Sequence, residues 1–359
     1  GIFVHQDGSV LVLYVDDFML VATVANAWKH WNEIGRQIQF QDEGAKLVRY
    51  LGAIYRFDEY NPEIPNQPRS IATEMSGYLR NLVQRFLRDY PGVRLQKVKT
   101  PFPVDKDEWK PEDEETGKYA QDIASYAASG LFASLVARPD LAVAVQRMCS
   151  RVTKWTVADD DRLVRFMAYI AQEHDQELVG TLAPDDAKDL AIVVWPDADW
   201  NGDPHTTRST SGLFVELCGT KSGNCFPLTW KVSHQTATSS SSAESETVSA
   251  SVAIRGVALP VQMLLKDMLG TVVPILCKID NTQAIQAIKN GYSKKLRYLP
   301  RTQRVSIGAL NEIWRDPAIA MEVEYVQSAE HKGDFFTKEL GAAMFKEARE
   351  RVGMRSRVA

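Results

Sequence analysis

The sequence predicts an α/β (α+β) protein built around a mixed sheet, and three observations carry that prediction. An apolar, β-branched run from Leu190 to Trp195 leads into two carboxylates, Asp197 and Asp199, and then into a polar turn. Such a run fits a central strand, with both aspartates emerging at its end on one side. A second strand, PILCKID, closes on Asp280, and long helical stretches occupy Asp122 to Gln172 and the residues around Glu246. The chain has 359 residues, for which two or three domains is the sensible expectation.

Composition narrows the class. Apolar content of 45% and charged content of 25% are those of an ordinary soluble globular protein. A net charge of −4 does not advertise nucleic-acid binding, so any such binding has to be local. Cys149, Cys218, Cys225 and Cys277 lack C-x-x-C pairing and read as reduced thiols of a cytoplasmic or nuclear protein. No apolar run approaches the ~18 residues of a membrane span, and no membrane partner is expected. The chain begins at Gly1 without Met and almost at once enters a strand, so it reads as a piece of something longer.

From the start, SVLVLYVDDFMLVAT (9–23) reads as a β-hairpin with its turn at Val15-Asp16-Asp17. Asp16 and Asp17 at such a tip are costly unless metal-bound or solvated, and an ordinary polar turn is the plain alternative. Ala27 to Phe40 reads as an amphipathic helix, and Tyr78 to Phe86 has helical spacing. Residues 104–118 crowd charges around one Pro and form the clearest linker. In the helical stretch after it, Arg138-Pro139-Asp140 ends one helix and begins the next. Residues 177–190 read as a loop. RSTSGLFVELCG and CFPLTWKVSHQ follow as strands, and Ser241 with Glu244 has capping-box spacing, which leaves Glu246 free for another task. Gly256 and Pro260 are expected to kink or break the helix that follows.

Asp197, Glu246, Asp280 and Asp334 come from four segments of different type. Mg²⁺ takes hard oxygen ligands, so carboxylates converging from separate elements suit it, and two ions ~3.5–4 Å apart can serve an in-line displacement. Lys294, Lys295, Arg297, Arg301 and Arg304 form a basic cluster with Tyr292 and Tyr298 interleaved. Contact with duplex phosphates and a solvated helix face are both open readings. His331 reads as a solvent-exposed loop side chain rather than a catalytic one. His205 and His234 read as structural or incidental, without metal-ligand spacing.

The motifs carry a resemblance. DADWNGDPHTTRSTSG, then TWKVSHQTATSSSSAESE, KIDNTQAI and EYVQSAEHKGDFFTKEL resemble the ribonuclease H domain of copia-type retrotransposon polyproteins. That family reads roughly DADWAGD…RRSTSG, W-x-S-x-K-Q…SSTEAE, CDNQSAI and YVPT…LADILTK. The resemblance implies that Asp197, Glu246, Asp280 and Asp334 are catalytic and hold two Mg²⁺ (or Mn²⁺) ions. Upstream, LYVDDFMLVA resembles the reverse transcriptase palm motif, whose aspartate pair binds Mg²⁺, which makes Asp16 and Asp17 metal candidates. YLGAIYRFD (Tyr50 to Asp58) is similar to the family's FLGIEI strand, YLRNLVQRF to its thumb helix, TPFP (Thr100 to Pro103) to its TPLP, and SYAASGLFASLVARPDLAVAVQRMCSRV to its connection helices.

Two departures matter. A palm needs a third carboxylate from an earlier strand and fingers residues; Asp7, in a QDG turn, is a poor substitute, so no polymerase activity is expected. The family's T-K-H-I-D-I-R-Y-H becomes TQRVSIGAL, with Arg304 at the first His. The resemblance implies a truncated reverse transcriptase palm and thumb (1–103), a linker (104–120), a helical connection (121–189), a ribonuclease H-like mixed sheet flanked by helices (190–345) and a C-terminal tail (346–359). The implied activity is hydrolysis of the RNA strand of RNA–DNA hybrids, the implied partners being the hybrid and the remainder of a parent polyprotein. The rival readings are a non-catalytic retroelement remnant that at most binds nucleic acid, and a scaffold that does not bind it.

Overall fold

Short apolar runs separated by polar turns set up the first elements. In the computed structural model, which describes residues 1–40, 44–59, 61, 63–103, 114–203 and 206–357, β1 (Ile2–Val4), β2 (Val10–Tyr14) and β3 (Asp17–Val21) form an antiparallel three-stranded sheet. The hairpin turns at Val15-Asp16, where Val15 takes a positive φ of 53°, and Tyr14 pairs with Asp17. Helix α1 (Val24–Gly35) follows, capped by Thr23.

The expected Tyr50–Asp58 strand is a hairpin instead: β4 (Arg49–Tyr50) and β5 (Ala53–Phe57) join at Leu51-Gly52, both at positive φ. Then come β6 (Arg69–Glu74), α2 (Ser76–Asp89), α3 (Ile123–Val136), α4 (Ala142–Arg151) and α5 (Val157–Glu173). Pro139–Leu141 forms the expected turn between α3 and α4. Most of the expected linker, residues 104–113, lies outside the described residues, as does His205.

The expected loop at 177–190 is overturned in its first half. β7 (Gln176–Leu182) is a strand hydrogen-bonded on both sides, antiparallel to β6 and, at its other edge, to the C-terminal β13 (Met354–Ser356). Glu177 and Gly180 disguise its alternation in the sequence. In the fold Glu177 pairs with Arg56, and the Gln176 amide N–H group donates to Ser356 and Glu173, so most of the polar groups of the strand find partners across it. The sheet runs β13-β7-β6-β5-β4 and thus joins residues 49–74, 176–182 and 354–356.

The third sheet is the mixed one. β8 (Leu190–Asp199), β9 (Thr210–Gly219) and β10 (Cys225–His234) pair antiparallel, and β11 (Ile275–Ile279) and β12 (Met321–Tyr325) pair parallel beside β8, giving the order β10-β9-β8-β11-β12. Side chains alternate between its faces. Phe214 and Trp230 pack with α2 to α5, and the Trp230 indole N–H donates to the Ser134 carbonyl (2.7 Å). Leu213, Val215, Ile192 and Cys277 pack on the other face with α6 (Ser242–Ala253), α8 (Thr282–Asn290) and α10 (Ile307–Arg315). The connection helices therefore form one of the two layers that cover the sheet, as a mixed α/β architecture requires.

Two further expectations change. Gly256 and Pro260 disturb the helix without breaking it: a π turn at Ile254–Ala258, in which the Leu259 N–H donates to the Ile254 carbonyl, carries α6 on into α7 (Leu259–Leu269) and accommodates the hydrogen bond that Pro260 cannot donate. Ser242–Leu269 is by length and composition long and apolar enough to cross a membrane, with mean hydropathy 1.6 over its most apolar window, but half of that window is buried in the core. Cys218 and Cys225, read as reduced thiols, form a disulfide. The register of β9 and β10 sets them directly opposite each other, which spacing in the sequence cannot reveal. Cys149 and Cys277 are free. A short α9 (Leu299–Thr302) lies between α8 and α10, and α11 (Ala342–Arg351) spans residue 345, where the ribonuclease H-like part was expected to end.

Candidate metal centre

Asp197 lies within β8 rather than beyond it, because pairing with β9 continues to Asp199 opposite Thr210. Glu246 projects from the first turns of α6, whose start is fixed as expected: Ser241 Oγ accepts from the Glu244 N–H (3.2 Å) while the Glu244 carboxylate accepts from Ser240. Asp280 follows the last residue of β11, where Asn281 caps α8 by accepting from Gln283 and Ala284 N–H groups. Asp334 lies in the 3₁₀ segment Lys332–Phe336.

These four elements converge. One ligand atom from each of Asp197, Glu246 and Asp280 lies within 4.8 Å of the others, and Asp197, His331 and Asp334 form a second group by the same measure. Asp197 is shared by both and is 1% exposed; Glu246 is 5% exposed. Thr337 Oγ1 donates to Asp197, and Lys338 Nζ donates to Asp334 Oδ1 at 2.6 Å. Glu246 Oε2 is buried with no hydrogen-bond partner. An orphaned carboxylate oxygen facing other carboxylates suits a hard cation, so the donor set fits Mg²⁺ or Mn²⁺.

Electrostatics express the same crowding. Burial first, and then the charges of Asp197 and Asp280, push the Glu246 carboxyl up to about 10. Burial and the Asp334 charge push Asp197 up to about 6. Lys338 is held above the usual lysine range: burial opposes its charge, and the neighbouring carboxylates led by Asp197 outweigh that.

His331 corrects the sequence reading. It is 4% exposed, not solvated, because the 3₁₀ segments around it fold back over β8 and Trp195 packs edge-on to its ring. Its Nε2 lies 2.9 Å from the Lys278 carbonyl, which can only accept, so Nε2 carries the proton. Nδ1 has no hydrogen-bond partner, and one ligand atom of His331 lies within 4.8 Å of those of Asp197 and Asp334. The three-residue spacing to Asp334 was the available signal. Gly333, between them, has no room for a side chain: a Cβ would lie 2.6 Å from the His331 ring and 2.7 Å from Asp197 Cβ. Gly333→Ala is expected to weaken Mn²⁺ binding about 10–100-fold in a calorimetric titration, the range seen when groups that orient metal ligands are disturbed.

Asp199 does not join the cluster. It accepts from the Thr210 N–H and meets Arg147 of α4 at 3.4 Å, and Arg147 and Arg162 reach Glu339 at 3.7 and 3.4 Å. The connection helices are thereby tied to both β8 and the segment beyond Asp334. His234 accordingly sits near Asp203 as a structural side chain, 3.9 Å away.

Asp16 and Asp17 stand exposed at their hairpin tip, and among the described residues neither belongs to a group of three metal-ligating side chains. Lys294, Lys295, Arg297, Arg301 and Arg304 are all exposed, around a segment anchored by the buried Leu296, Leu299 and Val305. Gln303, buried among them, donates to the Ala237 carbonyl (2.9 Å) in the loop before α6, and Trp200 Nε1 donates to Ser239 of that loop. The basic segment is thus coupled to the loop that leads to Glu246, with Trp200, Tyr292 and Tyr298 exposed.

No family model matches the chain. It is 26% identical over 238 residues to the "Uncharacterized mitochondrial protein AtMg00810" of Arabidopsis thaliana, covering 66% of this chain and 88% of that one. A solved structure of prototype foamy virus protease-reverse transcriptase aligns with 46% of this chain and 20% of its own at 10% identity and a TM-score of 0.24, a likeness too slight to support any conclusion. In its motifs the chain is similar, along most of its length, to the reverse transcriptase and ribonuclease H part of copia-type retrotransposon polyproteins.

Proposed function

We propose that the mixed-sheet part hydrolyses the RNA strand of RNA–DNA hybrids with two Mg²⁺ (or Mn²⁺) ions, and that the polymerase-like part is inactive. The observation that carries this reading is the convergence on Asp197 of Glu246 and Asp280 in one group and of Asp334 in another, with Glu246 Oε2 buried and unpartnered. These four side chains would hold the ions, which when bound supply the charge that activates a water and stabilises the leaving oxygen.

The chain's own groups do the rest. Thr337 orients Asp197, and Lys338 balances Asp334 before a cation arrives. The basic segment takes duplex phosphates, and the exposed Trp200, Tyr292 and Tyr298 offer flat faces for sugar or base contact. Its five exposed cations would lie along one backbone, which reconciles local binding with the net charge of −4. Replacing Lys294 and Lys295 together by Ala is expected to lower the slope of log affinity against log salt by about 1–2, with Mn²⁺ binding unchanged.

The test of substrate class is a panel of labelled duplexes in Mg²⁺. RNA cleaved only within the hybrid supports the proposal, whereas equal cleavage of RNA duplex or DNA duplex overturns it. A second reading, a remnant that binds hybrid without cutting it, is favoured by Arg304 in place of the family's His and by the isolated Asp16 and Asp17. Binding with no cleavage would establish that reading.

A further inference from the structure

We propose that His5, Asp7 and His30 form a second, separate metal site, suited to a borderline divalent transition ion such as Zn²⁺. His5 and Asp7 lie in the turn between β1 and β2, and His30 is the buried residue of α1, so two elements meet at one carboxylate. One ligand atom from each of the three lies within 4.8 Å of the others, and the imidazoles meet edge to face with centroids 4.5 Å apart.

The hydrogen-bond arithmetic asks for a cation. Asp7 Oδ1 accepts from the Ser9 N–H (2.9 Å) and lies 2.9 Å from His5 Nδ1, while His5 Nδ1 accepts from the Asp7 N–H (3.3 Å). Unprotonated, that nitrogen turns a lone pair toward a carboxylate; protonated, it meets the Asp7 N–H head on. His30 stands between two carboxylates, its Nε2 2.7 Å from Asp7 Oδ2 and its Nδ1 3.5 Å from Glu33 Oε2. A dication taking Asp7 and the two rings would relieve the conflict at His5 and, with His30 held through Nε2, leave the Nδ1–H of His30 to donate to Glu33, the kind of outer partner that orients a ligating imidazole.

Ligand type separates this site from the carboxylate cluster. Two imidazoles and one carboxylate match the three-ligand sets that hold Zn²⁺ at ~2.0–2.2 Å with a fourth position open to water, whereas Mg²⁺ prefers oxygen donors. A bound ion would pin the β1–β2 turn to α1 and close the small N-terminal sheet, whose outer residues Ile2, Phe3 and Val21 are exposed.

The experiment is equilibrium dialysis of the full chain against Zn²⁺ in a large excess of Mg²⁺, with the visible spectrum of the Co²⁺-loaded chain as a second reading. One Zn²⁺ per chain is expected. Because His5 is exposed, His5→Gln is expected to keep the fold by circular dichroism, and it and Asp7→Asn each lower Zn²⁺ affinity at least about tenfold. Asp280→Asn is expected to leave Zn²⁺ retention unchanged, and the Co²⁺ spectrum to shift in His5→Gln. No retained Zn²⁺, retention unaffected by either variant, or retention lost in Asp280→Asn would each overturn the site.

Discussion

Glu246→Gln is expected to stabilise the fold in chelator while abolishing hybrid cleavage. Glu246 is buried beside Asp197 and Asp280, and its carboxyl is pushed up to about 10 from an ordinary 4.5. Between those values the folded chain holds a proton that the unfolded chain releases, so the free energy of unfolding falls as pH rises across the window. Asp197, raised from 3.8 to about 6, adds a shallower loss over its own range. In EDTA the wild-type chain should therefore lose stability as pH rises from the ordinary carboxylate range into the alkaline range, by on the order of 1 kcal/mol per pH unit for each proton released on unfolding. Mg²⁺ should restore that stability at the alkaline end, and the glutamine variant should flatten the slope. Each kcal/mol reads as roughly 2–4 °C in melting temperature for a domain of this size. Cleavage should fall at least about 10²-fold, because a ligand of the group that stabilises developing charge is gone. A variant that melts earlier than wild type in EDTA at pH 8 would contradict the electrostatic account.

Arg138→Leu should be the most destabilising single change outside the carboxylate cluster. The Arg138 guanidinium is wholly buried and grips Asp140 with two bonds, from Nε to Oδ1 (2.8 Å) and from Nη2 to Oδ2 (2.7 Å). Tyr169 Oη donates to the same carboxylate (2.8 Å), and Arg349 Nη1 donates to Tyr169 Oη (3.0 Å) and to Glu173 (2.8 Å). The α3–α4 turn, α5 and α11 are joined through this chain, and α11 packs Phe345 against Phe335 in the segment that carries Asp334. Removing the cation leaves the Asp140 carboxylate buried and unpaired, at a cost of about 3–5 kcal/mol. In urea unfolding, Arg138→Leu combined with Asp140→Leu should recover much of that loss, because two apolar side chains leave no stranded charge. A single-variant loss below about 1 kcal/mol would show that the network contributes little.

The legible parts of the fold were those set by local periodicity. Strands β8 to β10, the cap at Ser241 and the break at Pro139 follow from branched runs, Ser/Glu spacing and ring chemistry within a few residues. What escaped depends on long-range partners. β7 looks like a loop until β6 and β13 flank it, and Cys218 faces Cys225 only once the β9–β10 register is known. The same divide runs through the site. Asp197, Glu246, Asp280 and Asp334 were marked by the motif resemblance, and the fold brings them together. His331 was misjudged because burial is a tertiary property: the Lys278 carbonyl and Trp195 that enclose it lie 53 residues and more away in the chain. Thr337 and Lys338 went unremarked for a similar reason, since nothing in TKEL reveals that its first two side chains turn toward carboxylates on β8 and beside it.

The central claim is that the converged carboxylates are a working hydrolytic centre. The measurement that tests it most directly is cleavage of a labelled RNA–DNA hybrid in Mg²⁺ by the wild-type chain and by Asp280→Asn. The account predicts cleavage of the RNA strand by wild type and its loss, by at least about 10²-fold, in a variant that still folds and still binds hybrid. No cleavage by a folded, hybrid-binding wild-type chain, or equal cleavage by both chains, would contradict it.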